Sequence, residues 1–168
     1  MGARTCLHLA LLRPDVVTAL VLLGGTAGID DPDERAARRT ADDALADRLE
    51  RIGTEAFLDE WLAQPLFAGL PPEGRGARSA DAAGLAWSLR LAGTGTQEPL
   101  WSRLAELTMP VLVVAGERDA RFRALGDRLV AGIGAGATMA VVPDAGHAAH
   151  LERPEAFLAL VRPWLAAH

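Results

Sequence analysis

The 168-residue sequence predicts an α/β fold: about three parallel strands with flanking helices, interrupted by an inserted helical cap. Three observations carry this expectation. Short, continuously apolar runs at 17–25 and 111–116, and a third strand-like run over 137–147, have the length and texture of sheet strands; the first two read as buried on both faces. Helical sequence separates them, as parallel strands require, because their connections must cross back along the sheet. Between the first two runs stands a long charged, alanine-rich block with no strand pattern.

Residues 2–12 have helical composition and are stopped by Arg13-Pro14-Asp15. The apolar run 17–25 follows and ends in Gly24-Gly25. Residues 30–53 read as a long helix in which acidic residues lead and arginines follow, the order the helix dipole favours. Residues 54–72 predict a second helix ended by Gln64-Pro65. A glycine-rich connection then runs into a third helix within 73–97. The chain therefore divides into a core of 1–29 with 98–168 and a helical cap of 30–97. Beyond Met109-Pro110 come the strand 111–116, a loop and helix over 117–134, the strand 137–147, and a closing helix over 153–167. Pro154 falls in the first turn of that last helix, where its missing N–H costs nothing.

A net charge of −5, with no basic stripe, argues against a nucleic-acid partner. Apart from histidine every basic residue is arginine, which reads first as compositional bias alongside abundant alanine and glycine. The lone Cys6 forbids a disulfide within the chain and fits a reducing, cytoplasmic setting; it is expected to be a small packed residue of the first helix. Arg4, His8 and Arg13 interrupt the first apolar stretch, so it does not read as a signal peptide. No apolar run is long enough to span a bilayer.

Chemistry concentrates in "VLVVAGERD" and "VVPDAGH", each a strand followed by a loop bearing a titratable residue. In open α/β sheets such groups gather beyond the carboxyl ends of strands. Asp119 before His147 matches the order of acid and base in Ser–Asp–His triads of this architecture. Simpler readings exist: Asp119 as a helix N-cap and His147 as a turn residue, with Glu117 and His150 as rivals for the two roles. No G-x-S-x-G elbow occurs. Ser79, Ser88 and Ser102 lack the flanking glycines, and Cys6 lies about one turn into the first helix. "MGAR" has the form of an elbow's second half, with the serine expected directly before Met1.

Together with "GGTAGI", "ERAARR", "WLAQPLFAGL", "AGERDARFRAL" and "AGHAAHLERPEAF", these motifs resemble the α/β-hydrolase-fold lyases of menaquinone biosynthesis, the 2-succinyl-6-hydroxy-2,4-cyclohexadiene-1-carboxylate synthases. The resemblance runs through essentially the whole sequence and corresponds to the family's C-terminal two-thirds. It implies elimination of pyruvate from a small polycarboxylate substrate with no metal or organic cofactor. It also implies Asp119 as triad acid, His147 as base, Arg4, Arg38 and Arg78 as carboxylate partners, Trp61 as a cap residue facing the pocket, and the Met1 N–H as an oxyanion donor. Without the serine the chain alone is expected to be inactive, and the 17–25 strand to present an unpaired edge that favours self-association. A serine esterase of the same fold and a non-catalytic fragment are the alternatives.

Overall fold

The computed structural model describes residues 2–71 and 81–168. Three strands, β1 (Leu20–Leu23), β2 (Val111–Gly116) and β3 (Ala137–Val142), form a parallel sheet in that order. Leu20 stands opposite Val111, and Val111 opposite Ala137. β2 is buried at every position, as a middle strand covered on both faces must be. Its side chains alternate between two cores. Val111 and Val113 join Leu7, Leu22, Leu104 and Leu129 on one side, beneath α1 (Gly2–Leu12). Leu112 and Val114 join Val142 and Val161 on the other.

The outer strands are shorter than the sequence suggests, for backbone reasons. β1 loses its glycine end: the Gly24 N–H still bonds Val114 O at 2.9 Å, but Gly24 takes φ +54° and turns the chain out of the sheet. β3 stops at Val142 because Pro143 has no N–H to donate, and Asp144 then adopts φ +54°. Only β2 shows burial on both faces throughout; β1 alternates buried with half-buried residues, and β3 is mostly half-exposed. The expectation for Cys6 is corrected: it is exposed. On α1, Ala3, Arg4, Leu7, Ala10 and Leu11 face the sheet, and a 100° step per residue carries Cys6 off that stripe.

The inserted segment begins with α2 (Pro32–Ile52). The Asp31 side chain accepts from Asp33 N and Glu34 N at 2.9 and 2.8 Å, and Pro32 occupies the first turn. α3 (Thr54–Leu62) ends well before residue 72, because Gln64-Pro65 opens a 3₁₀ turn over Pro65–Phe67. α4 (Ala82–Ala92) is capped by Asp81. Ala46, Leu49, Phe57 and Ala86 give these helices a small core of their own. Arg90 bridges α4 to Asp47 and Glu50 of α2, at 2.6 and 2.8 Å.

The segment leaves and rejoins the sheet layer at one place. Leu100 N donates to Ala27 O at 2.7 Å, and Pro99 packs so tightly on Gly28 (φ +117°) that a Cβ there would lie 2.9 Å from Pro99 Cα. Trp101 donates its Nε1–H to Gly28 O at 3.0 Å, while the Arg128 guanidinium covers its ring at 3.7 Å. Trp101→Phe keeps an aromatic face but removes the bond and part of the indole, so chemical denaturation should show a loss of about 1–2 kcal/mol. The remaining elements are a 3₁₀ segment (Trp101–Glu106), α5 (Ala120–Ile133), α6 (Ala149–Glu152) and α7 (Pro154–Ala167).

Candidate active site

The loops after β2 and β3 are tied together by backbone before any side chain is considered. Glu117 N donates to Val142 O at 2.9 Å and Arg118 N to Ala145 O at 2.8 Å. Glu117 turns its carboxylate to the Asp144 N–H (2.9 Å), and Arg118 pairs with Asp144 at 2.8 Å. Glu117, the rival acid, is thus engaged in holding the loops together. The rival base His150 packs edge-on to Phe157 on the side of α7.

Asp119 and His147 meet. Asp119 Oδ2 lies 2.7 Å from His147 Nδ1, with Asp119 buried and His147 partly open. An ionised carboxylate can only accept, so in the neutral imidazole this contact favours the tautomer with its proton on Nδ1, whose Nε2 is an acceptor. The other oxygen, Oδ1, accepts the Phe122 N–H at 3.2 Å and caps α5. One oxygen of Asp119 thus caps α5 and the other meets His147.

The imidazole is held in a slot the sequence did not reveal. Phe122 packs against it with ring centroids 4.4 Å apart, and Phe67, in the turn after α3, meets it edge-on at 6.4 Å. Beneath it lies Gly24, where an added Cβ would stand 2.9 Å from His147 Cε1. Gly25 in turn packs on Ala3, so the first turn of α1 and the imidazole lie on either side of the glycine pair.

Arg4 is buried in α1, and among the described residues its hydrogen-bond partners are neutral: Gln97 Oε1 at 2.7 Å, Thr94 Oγ1 at 2.6 Å and Ala92 O at 3.0 Å. Burial, and after it repulsion from Arg38, draws the guanidinium below its usual basicity, while Asp42 pulls the other way. It stays protonated nonetheless. A buried cation without a directly bonded carboxylate favours an incoming anion. Arg38 is half-exposed and donates from Nε to Asp42 Oδ1 at 2.8 Å; Asp42 itself is buried, and its Oδ2 has no hydrogen-bond partner among the described residues. Trp61 stacks on Phe57 (5.9 Å) and its ring lies 6.3 Å from that of Phe67, which in turn meets His147. Met1 and Arg78 lie outside the described residues. Among the described residues no group of three His, Cys, Asp or Glu side chains is arranged to hold a metal ion.

Residues 1–160 match the family model described as the alpha/beta hydrolase family. The chain belongs to the alpha/beta hydrolase family. Within it, the chain is 37% identical to a Bacillus subtilis protein provisionally named 2-succinyl-6-hydroxy-2,4-cyclohexadiene-1-carboxylate synthase, over 99% of this chain and 64% of the relative. It is 33% identical to the synthase of that name from Serratia proteamaculans, over 98% of this chain and 65% of the relative. MenH from S. aureus superposes with a TM-score of 0.93 at 30% identity, covering 98% of this chain and 65% of that one. A thermophilic esterase from Thermogutta terrifontis, at 24% identity and a TM-score of 0.78, shares the fold; the match covers 99% of this chain and 62% of the esterase. The chain thus spans just under two thirds of the length of the curated relatives it matches. Asp119 and His147 sit in the loops beyond the carboxyl ends of the adjacent parallel strands β2 and β3, where alpha/beta sheets gather their ligand-binding and catalytic groups.

Proposed function

We propose that this chain provides the acid–base pair, the anion-binding arginines and the cap of a lyase acting as a 2-succinyl-6-hydroxy-2,4-cyclohexadiene-1-carboxylate synthase. The carrying observation is the 2.7 Å Asp119–His147 pair in a fold that also buries Arg4 against neutral hydrogen-bond partners among the described residues. In this reading His147 Nε2 takes the proton of a serine that stands outside these 168 residues. Asp119 fixes the tautomer and stabilises the imidazolium. The activated serine takes a substrate proton and is regenerated as the hydroxyl, the C–O bond to the enolpyruvyl group breaks, and the leaving enolate takes the proton held on His147 Nε2 to depart as enolpyruvate. Arg4, Arg38 and Arg78 pair with the substrate's carboxylates, the Met1 N–H donates to developing negative charge, and Trp61 closes the pocket from the cap, residues 30–97. No metal or organic cofactor takes part.

The test compares the 168-residue chain with the same chain extended by the in-frame sequence upstream of Met1, assayed for pyruvate release. Pyruvate release by the extended form alone supports the reading. Ester turnover without pyruvate release would replace it with the esterase reading. In the cell the proposed setting is the cytoplasm; no helix among the described residues is long and apolar enough to cross a membrane.

Among the described residues β1 pairs with β2 alone, and Leu9, Leu12 and Val16 are exposed. An open strand edge, on a chain that also exposes apolar side chains, invites pairing with a second copy. Sedimentation of the 168-residue chain should therefore show concentration-dependent self-association; a single monomeric species across the range would refute it.

A further inference from the structure

We propose that Glu152 is a positioning residue for His147, fixing the loop that carries the base and joining it to the segment after α3. The inference rests on the reading of His147 as base, and assigns the device that sets its orientation.

Glu152 reaches back from the end of α6 and accepts two backbone N–H groups: Gly146 N at 2.7 Å on Oε2 and Ala148 N at 3.1 Å on Oε1. Those are the residues on either side of His147. A glutamate that merely capped α6 would need the Ala148 N–H alone, because Ala148 is the N-cap. The second oxygen goes instead to the far side of the histidine. The loop leaves β3 through Pro143 and passes Asp144 in the left-handed region. Glu117 and Arg118 hold it at Asp144 and Ala145, and Glu152 holds it at the next two stations, on either side of the histidine. Both bonds are charge-assisted, the stronger class.

The same carboxylate touches the cap. A Cβ built on Gly69 would overlap Glu152 Oε2, so the backbone after the Pro65–Phe67 turn rests directly on the brace. Leu62, Phe67, Leu70 and Ala148 are buried together around that contact, with Leu151 packed against them. Phe67 in turn meets the His147 ring. A displacement of the 65–70 segment would therefore reach the imidazole by two routes, through Phe67 and through Glu152. Neither route passes through Asp119.

NMR of the 168-residue chain tests this. In the unmodified chain the Nδ1–H of His147 should give a far-downfield resonance, and Asp119→Asn should abolish it. Glu152→Gln keeps size and shape but offers a single acceptor to two N–H groups. Exchange of the Gly146 or Ala148 amide should then quicken roughly ten- to a hundredfold, and the Nδ1–H resonance should broaden or shift. Glu152→Asp keeps the charge but withdraws it by one methylene, and should reproduce the effect, showing that reach rather than charge matters. Leu151→Ala loosens the same packing without touching the carboxylate, and should leave the resonance in place. An unchanged Nδ1–H resonance in both Glu152 variants would overturn the proposal. Its absence from the unmodified chain would instead overturn the reading of the Asp119–His147 pair.

Discussion

Asp119→Asn is expected to lower kcat by about four orders of magnitude in a form of the protein that turns over, with little loss of stability. The reason lies in how the two carboxylate oxygens are divided. One accepts from His147 Nδ1 and the other from Phe122 N, so both partners are donors. An asparagine has one acceptor and one donor end. If its oxygen keeps the Phe122 N–H, its amide group faces Nδ1 and selects the tautomer with the proton on Nε2, which cannot accept from a nucleophile. If its oxygen turns to His147, α5 loses its cap, at a cost of about 1 kcal/mol. Either arrangement also removes the charge that stabilises the imidazolium. Steady-state kinetics beside a thermal melt separates these effects. A kcat within tenfold of the parent would show that Asp119 serves only as an N-cap.

How much of this was legible beforehand follows from how local each feature is. The middle strand is a six-residue apolar run buried throughout, and its burial can be read from composition. Asp119 and His147 each follow a strand closely, so chain order and sheet geometry suffice to bring them together. The partners of Arg4 are of another kind. Thr94 and Gln97 lie about ninety residues away, in a connection whose path depends on where the helical segment rejoins the sheet layer. Nothing near them in sequence marks them. Phe67 and Phe122 read as ordinary core aromatics, and only the closed fold brings them to the imidazole. Gly24 was visible as a strand end, but not as the floor beneath a histidine more than a hundred residues later. Cys6 shows the reverse failure: composition alone suggests burial, yet its angular position on α1 decides against it.

Gly116 yields the second large effect, and explains why the paired loops tolerate so little. It closes β2, and its carbonyl accepts the Asp119 N–H at 3.0 Å. On its other side a Cβ would overlap the backbone oxygens of Gly146 and Ala145, the two residues before His147. Its φ is not in the left-handed region, so the demand for glycine is one of space, not of backbone freedom. The obstructing atoms are backbone, and Arg118 N holds Ala145 O at 2.8 Å, so the loop cannot rotate aside as a side chain would. Gly116→Ala must move the β3 loop away from the β2 loop, straining that bond and lengthening the Asp119–His147 contact together. The expected cost is about 3 kcal/mol, seen as a fall in thermal midpoint of about 10 °C. Loss of the downfield His147 signal should accompany it while the chain is still folded. Gly84, on the exposed face of α4, is the control: an added Cβ there finds only Asp81 Oδ2 at 3.7 Å, and Gly84→Ala should hold or raise stability. If Gly116→Ala melts like the parent and keeps the signal, the two loops are held apart by something other than this contact.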